Sequence, residues 1–186
     1  MPGTVLSPPR LDRAAIVQAA LALLDEVGFE GLSTRRLAAA LGVKGPSLYW
    51  HFKTMGELRD HMAEAMLAGA MPSADPAVFP GDWRVWLEAG AHGMRRAALS
   101  RRDGARILIA ARPTGTHPAL DFPAMIARLR AEGFSREAAA GAMLALGRYV
   151  LGWTLAEQVA GVSRSESQFE FGLQAMLSGL EPDGFT

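Results

Sequence analysis

The sequence predicts an all-α fold, on three observations. Alanine and leucine number 33 and 23 against 9 valines and 4 isoleucines, so helix formers dominate and the β-branched residues that favour strands are scarce. Apolar residues recur at three- and four-residue spacing rather than alternating. Most breaks between these runs carry a Gly, a Pro, or a Ser, Thr or Asp placed to cap the next helix. At 186 residues the chain is long enough to bury a sizeable core. It has no cysteine, which removes disulfides, thiolate metal sites and cysteine nucleophiles and fits a reducing cytosol.

Each element follows from local signals. Met1–Arg10 holds three prolines and no apolar run, so it is expected to be a short arm and not a signal peptide. Ile16, Ala20, Leu23, Leu24 and Val27 form one helical face over 12–27, capped by Asp12 and stopped by Gly28. Ser33 caps a helix over 34–41 that Gly42 ends. Val43-Lys44-Gly45 is a turn, and Pro46 opens a helix of one to two turns to about His51. Thr54-Met55-Gly56-Glu57 is a capping box starting a helix over 54–71. Three prolines break the chain between Met71 and Gly81. Asp82 then caps a helix to Leu99, and a short helix spans 103–111 before Pro113. A loop over 113–118 leads to a helix over 119–132. Ser135 opens a long helix to Ala160, and a second capping box, Ser165 to Gln168, starts the last helix, to about Leu180. The stretch 138–156 is nearly uncharged but rich in Ala and Gly and broken by Arg148, so it is expected to be a buried or interface helix with no membrane partner.

Two helices joined by a tight Gly turn, the second short and opened by Pro, form the pattern of a helix-turn-helix. The charge distribution agrees with it. The whole chain balances 19 basic against 19 acidic residues. Between Gly31 and Gly56, however, stand Arg35, Arg36, Lys44 and Lys53 and no acid, whereas 10–30 carries two Arg against four acids. Leu32, Leu37, Leu41, Val43 and Leu48 supply the apolar positions that hold the helices together. Adjacent helical residues cannot share a face, so at least one of Tyr49 and Trp50 is expected to point outward.

Leu32 to Ala38, Leu41-Gly42-Val43 and Pro46 to Lys53 together resemble the DNA-binding domain of the tetracycline repressor (TetR) family. The resemblance continues through Leu99 to Ala105, Ala111 to Thr114, Gly133-Phe134-Ser135, Leu151-Gly152, Glu157-Gln158 and Phe171-Gly172-Leu173, which are similar to the regulatory domain of the family's tetracycline-binding branch. It implies a DNA-binding domain over 1–54 and a regulatory, dimerising domain over 55–186, with helix 54–71 connecting them. It also implies DNA contacts. Thr34 and Arg35 approach the backbone and an outer base; Lys44, Gly45, Pro46 and Ser47 form the tip of the recognition helix in the major groove; and Tyr49, Trp50, His51 and Lys53 meet phosphates and flanking bases. Gly45 stands where that branch has a base-reading Gln, and Met55 where it has a Lys, so the operator sequence does not carry over.

That branch binds a drug–magnesium chelate. By alignment, its metal-binding His falls at Leu108 and its acid at Ala156, next to Glu157. The polar residues that grip the drug fall at Met71 and Gly90, an aromatic one at Met94, and a Gln near Met125. Magnesium prefers oxygen ligands, and these side chains offer none. The resemblance therefore implies a pocket lined by Met71, Trp86, Gly90, Met94, Leu108, Met125 and Phe122, with Arg112 and His92 as polar handles. Met side chains suit varied apolar ligands, although each Met is equally readable as core. The expectation is a cytoplasmic repressor released from a palindromic operator by a hydrophobic effector. It is not expected to bind tetracycline–magnesium, and no cofactor or metal site is expected. It would be a homodimer through helices 135–160 and 165–180, which carry Ala138, Ala142, Ala145, Gly147 and Gly152, small enough for close approach, and Phe169, Leu173, Met176 and Leu177. The alternative is a dimeric DNA-binding regulator without an effector. An enzyme is not expected, since His51, His61, His92 and His117 are scattered and lie in no metal-binding motif such as H-E-x-x-H.

Overall fold

The computed structural model describes residues 11–112, 120–161 and 166–182. The expected arm, Pro113 and the loop over 113–118 with His117, most of the link from Gly161 to Arg164, and Ser165 of the second capping box lie outside the described residues. Among the described residues the chain forms nine helices: α1 (Arg13–Gly31), α2 (Thr34–Ala40), α3 (Gly45–Tyr49), α4 (Met55–Leu67), α5 (Trp83–Leu99), α6 (Gly104–Ala110), α7 (Phe122–Ala131), α8 (Arg136–Ala160) and α9 (Glu166–Ser178).

The caps act as their sequence suggests. The side chains of Asp12, Thr54, Asp82 and Ser135 accept the N–H three residues on at 2.8–3.0 Å, satisfying donors that the first helical turn leaves open. In the box at Thr54 the return bond goes one residue further back than expected: Glu57 accepts the N–H of Lys53 at 2.7 Å. Gly28 interrupts α1 with φ +71°, and one further turn follows it to Gly31. Pro46 occupies the second position of α3, not the first, because Lys44 is the cap residue. Helix α4 ends at Leu67, short of 71, and α7 begins at Phe122, after Asp121 accepts from Ala124 N at 3.2 Å.

Two apolar cores result. The first runs through Ile16, Leu24, Leu37, Leu48 and Phe52 into Leu58 and Met62 of α4, and on to Ile107 of α6. The second gathers Trp83, Trp86, Leu129, Val150, Phe169 and Leu173. Met94 packs against both. Helix α8 is long and apolar enough, by length and composition, to cross a membrane. It lies against α5, α6, α7 and α9 as the spine of the regulatory bundle.

The Pro-rich segment between α4 and α5 is held by one buried cation. Arg128 of α7 donates to the carbonyls of Ser73, Phe79 and Gly81 at 3.0–3.3 Å, and its guanidinium lies 5.1 Å from the Trp86 ring. Burial lowers its pKa, while Glu132 and Asp75 oppose that shift.

Candidate nucleic-acid interface and apolar chambers

The turn between α2 and α3 is built by Gly42, at φ +65°, and by Val43 N–H donating to Ala38 O at 3.0 Å. Leu37, Ala38, Leu48 and Phe52 point inward. Their burial leaves one outer face, on which Arg35, Lys44, Pro46 and Lys53 are exposed and Thr34, Gly45, Ser47 and His51 half-buried. Both members of the aromatic pair are outward: Tyr49 is 57% and Trp50 89% exposed. Thr34, Arg35, Gly45, Pro46 and Tyr49 line one open groove between α2 and α3. Arg36, which the sequence reading left out of the contact set, is also exposed beside Arg35. Its signal was its place in the acid-free window. The next acid along the chain, Glu57, is engaged by Lys53 N–H at 2.7 Å and by Arg13 at 3.1 Å. Exposed cations and large aromatics around two helices without acids suit a polyanion with stacked rings.

Two adjoining chambers open inside the regulatory bundle. The inner one, of about 120 Å³, is lined by Met71, Trp86, Gly90, Met94 and Met125 among others, all of them apolar. Its indole N–H, on Trp86, is spent on Ser73 O at 2.9 Å. The outer chamber, of about 330 Å³, includes Leu108 and Arg112. Leu67, Met94, Leu120, Phe122, Met143 and Gly147 line both. The seven expected wall residues, and Arg112 of the two expected polar handles, therefore line one chamber or the other. The sequence reading missed the contribution of α8, whose Met143, Leu146, Gly147 and Val150 stand at helical spacing. It also missed the charged groups of the outer chamber, Asp60, Glu64 and Arg148.

Two expectations are corrected. His92 lines neither chamber. It faces α9, 3.3 Å from Glu170, with its ring edge-on to Phe169 at 5.9 Å. Glu88, His92 and Glu170 form the one trio of possible metal ligands that converges among the described residues, and Gln174 donates to both carboxylates at 2.8–3.0 Å. Not every residue named on the expected dimer helices is open to a second copy. Ala138, Ala142, Phe169, Leu173 and Leu177 are buried in the chain's own core. Ala145 and Gly152 of that set are exposed, as are Val159 on α8 and Phe171 on α9, while Leu144, exposed too, borders the outer chamber.

Glu157, next to the position of the family's acid, is buried and lines neither chamber. Arg95 grips both its oxygens at 3.0 and 3.3 Å, and Trp153 Nε1 donates to it at 3.2 Å. Burial works against the charge on Arg95, but its bonds to Glu157 and Glu166 outweigh that and hold its pKa above the ordinary value.

The two halves meet along a polar seam. Phe29 N–H donates to Asp103 at 2.8 Å, and the Phe29 ring lies between the guanidiniums of Arg59 and Arg106, at 4.4 and 4.3 Å. Asp25 accepts from Arg101 Nη1 at 2.6 Å and from Arg102 N at 3.0 Å, and Arg106 pairs with Glu30. Gln158 of α8 braces the other side of this turn. It accepts from Ala105 N at 3.0 Å and donates to the carbonyls of Ala98 and Arg101.

Comparison with known proteins agrees with this geometry. Residues 16–62 match the family described as bacterial regulatory proteins, tetR family, and residues 75–168 match the tetracyclin repressor-like C-terminal domain. The chain is 41% identical over 158 residues to the class C tetracycline repressor protein of Escherichia coli, covering 84% of this chain and 71% of that one. It is 38% identical to the class G protein of Vibrio anguillarum, covering 94% and 86%. Among solved structures, a TetR variant from Acinetobacter baumannii AYE in complex with minocycline superposes with a TM-score of 0.83 at 39% identity, covering 95% and 97% of the two chains. BioQ with its double-stranded DNA operator superposes with 0.72 at 32% identity, covering 92% and 98%.

Proposed function

The chain belongs to the tetR family of bacterial regulatory proteins, and from that premise we propose that it is a homodimeric repressor released from a palindromic operator by a largely apolar small molecule. The family consists of DNA-binding transcription factors, not enzymes. The face carrying Thr34, Arg35, Lys44 to Ser47, Tyr49 to His51 and Lys53 is the DNA contact surface in this reading. The observation that carries it is Trp50, left 89% exposed within a stretch, Gly31 to Gly56, that holds four cations and no acid.

The chambers are the effector site. Their lining supports an apolar ligand, and the outer volume of about 330 Å³ is within the range of small-molecule pockets. A drug–magnesium chelate does not fit them. The inner chamber offers no side-chain oxygen, and Leu108 stands where the metal ligand would be. Asp60 and Glu64 stand at the outer chamber and are already engaged: Asp60 accepts the Arg112 N–H at 2.8 Å, and Glu64 lies 3.4 Å from His61 Nδ1. Release works through shared walls. Leu67 of α4 and Leu108 of α6 border the chambers, and α4 and α6 supply Arg59 and Arg106, which clasp Phe29 of α1. A second copy covers the outward face of α8 and α9 beyond the outer chamber, around Gly152, Val159 and Phe171.

Selection of genomic DNA fragments on the purified protein tests the DNA arm, with an inverted repeat as the expected product. Screening apolar compounds, and tetracycline with magnesium, for operator release and shifts in melting temperature tests the effector arm. Release by tetracycline–magnesium at low concentration would overturn the apolar reading. An absence of response to every apolar class would favour a regulator without effector.

A further inference from the structure

We propose that the effector is an amphipathic acid, with its apolar body in the inner chamber and its carboxylate held in the outer chamber by Arg112 and Arg148. This rests on the chambers being the effector site and adds the chemistry of the head group. The inner chamber is apolar throughout, so whatever fills it presents hydrocarbon there. The outer chamber carries four charged side chains, Asp60, Glu64, Arg112 and Arg148, and their partners differ by sign. The two acids, one turn apart on α4, are engaged: Asp60 accepts the Arg112 backbone N–H at 2.8 Å, and Glu64 lies 3.4 Å from His61. The two guanidiniums, two residues past α6 and on α8, make no ion pair or side-chain hydrogen bond among the described residues.

With both acids engaged, the donors left open in the chamber are of one sign, and they select an anion. A guanidinium offers a planar fork that matches a carboxylate. Leu67, Met94 and Met143 line both chambers, so one molecule can run from the apolar end to the two arginines without crossing a polar wall. Arg112 and Arg148 are both exposed on the single chain, which leaves their charges solvated there.

Three probes with one body and different heads test this: decanoate, decanol and decylamine, titrated calorimetrically into the full chain below their aggregation thresholds. Decanoate should bind most tightly, about tenfold or more above decanol. Arg112→Ala and Arg148→Ala should each lower the decanoate-to-decanol affinity ratio about tenfold, the effect expected for one lost charge-assisted bond. Equal binding of decanol, or tighter binding of decylamine, overturns the carboxylate assignment and leaves the effector site standing. An unchanged ratio in both Arg variants overturns the assignment to these side chains. Failure of all three probes to bind, or binding that persists when Gly147→Leu fills the shared wall, removes the effector site itself.

Discussion

The carboxylate of Asp103 accepts the backbone N–H of Phe29 at 2.8 Å, across 74 residues of sequence. Asp103 adopts φ +55°, the one positive value outside glycine among the described residues, a conformation that Asp and Asn tolerate better than most. Gly28, just before Phe29, brings the chain close enough: a Cβ there would lie 2.8 Å from Asp103 Oδ2. Asp103→Ala should destabilise the fold by about 1–3 kcal/mol, because it orphans a part-buried N–H and strains the turn. Asp103→Asn keeps the turn and an acceptor oxygen, so it should cost less. Urea denaturation of both variants checks the order, and an Ala variant as stable as the parent would mean the bond holds nothing.

The helices were legible because their signals are local: a cap, a period and a stop lie within a few residues of one another. The chamber walls were legible only through resemblance, since Met71 and Leu108 become neighbours of one space by tertiary folding alone. Glu157 shows the limit. From sequence it stands beside the position of the family's acid, while its partner Arg95 is 62 residues away on α5, and nothing local announces that pair. The same applies to Arg148, which reads as an interruption of an apolar helix until Asp60, Glu64 and Arg112 are brought to the same chamber.

Trp50 and Leu48 separate DNA contact from folding. Trp50→Ala removes an exposed ring and should change stability by less than about 0.5 kcal/mol, while weakening operator binding. Leu48 is 4% exposed, so Leu48→Ala should cost about 2–5 kcal/mol and lose binding by unfolding. Lys44→Ala should reduce the slope of log affinity against log salt by about 0.9, as the loss of one phosphate contact requires. Thermal melts and salt-dependent binding measured on the same preparations distinguish the three.

Gly147 lines both chambers, and a Cβ there would meet nothing within 4 Å. Gly147→Leu therefore has room to fold, and replacing a mid-helix Gly removes a helix penalty of about 0.8–1.0 kcal/mol. Its melting temperature should match or exceed the parent's. The side chain occupies the passage between the chambers, so the shift caused by any ligand should disappear. A variant that still responds fully to ligand would place the ligand elsewhere.

Gly172 is required by Tyr149. A Cβ at Gly172 would lie 2.2 Å from the Tyr149 hydroxyl oxygen, closer than any contact allows. Gly172→Ala should cost about 1–3 kcal/mol through overpacking, despite the helix propensity of Ala. Adding Tyr149→Phe removes the clashing oxygen and should recover part of that loss, so the two changes should be non-additive in a double-mutant cycle.

The same hydroxyl makes stability depend on alkaline pH. It donates to Phe169 O at 2.7 Å, and the ring stacks on Phe169 at 5.5 Å. Burial, and then the charge of Glu170, raise the Tyr149 pKa, with Arg95 opposing. A raised pKa means that the folded state keeps the proton longer than the unfolded chain does. Below about pH 10, the ordinary tyrosine value, both states are protonated and the contribution is complete. As pH rises past that value the unfolded chain ionises first and the contribution is lost, until the folded hydroxyl ionises too. The stability gap between the parent and Tyr149→Phe, from denaturant midpoints at pH 8 to 11, should therefore narrow above about pH 10. A gap that stays constant across that range would show that folding leaves this hydroxyl's ionisation unchanged.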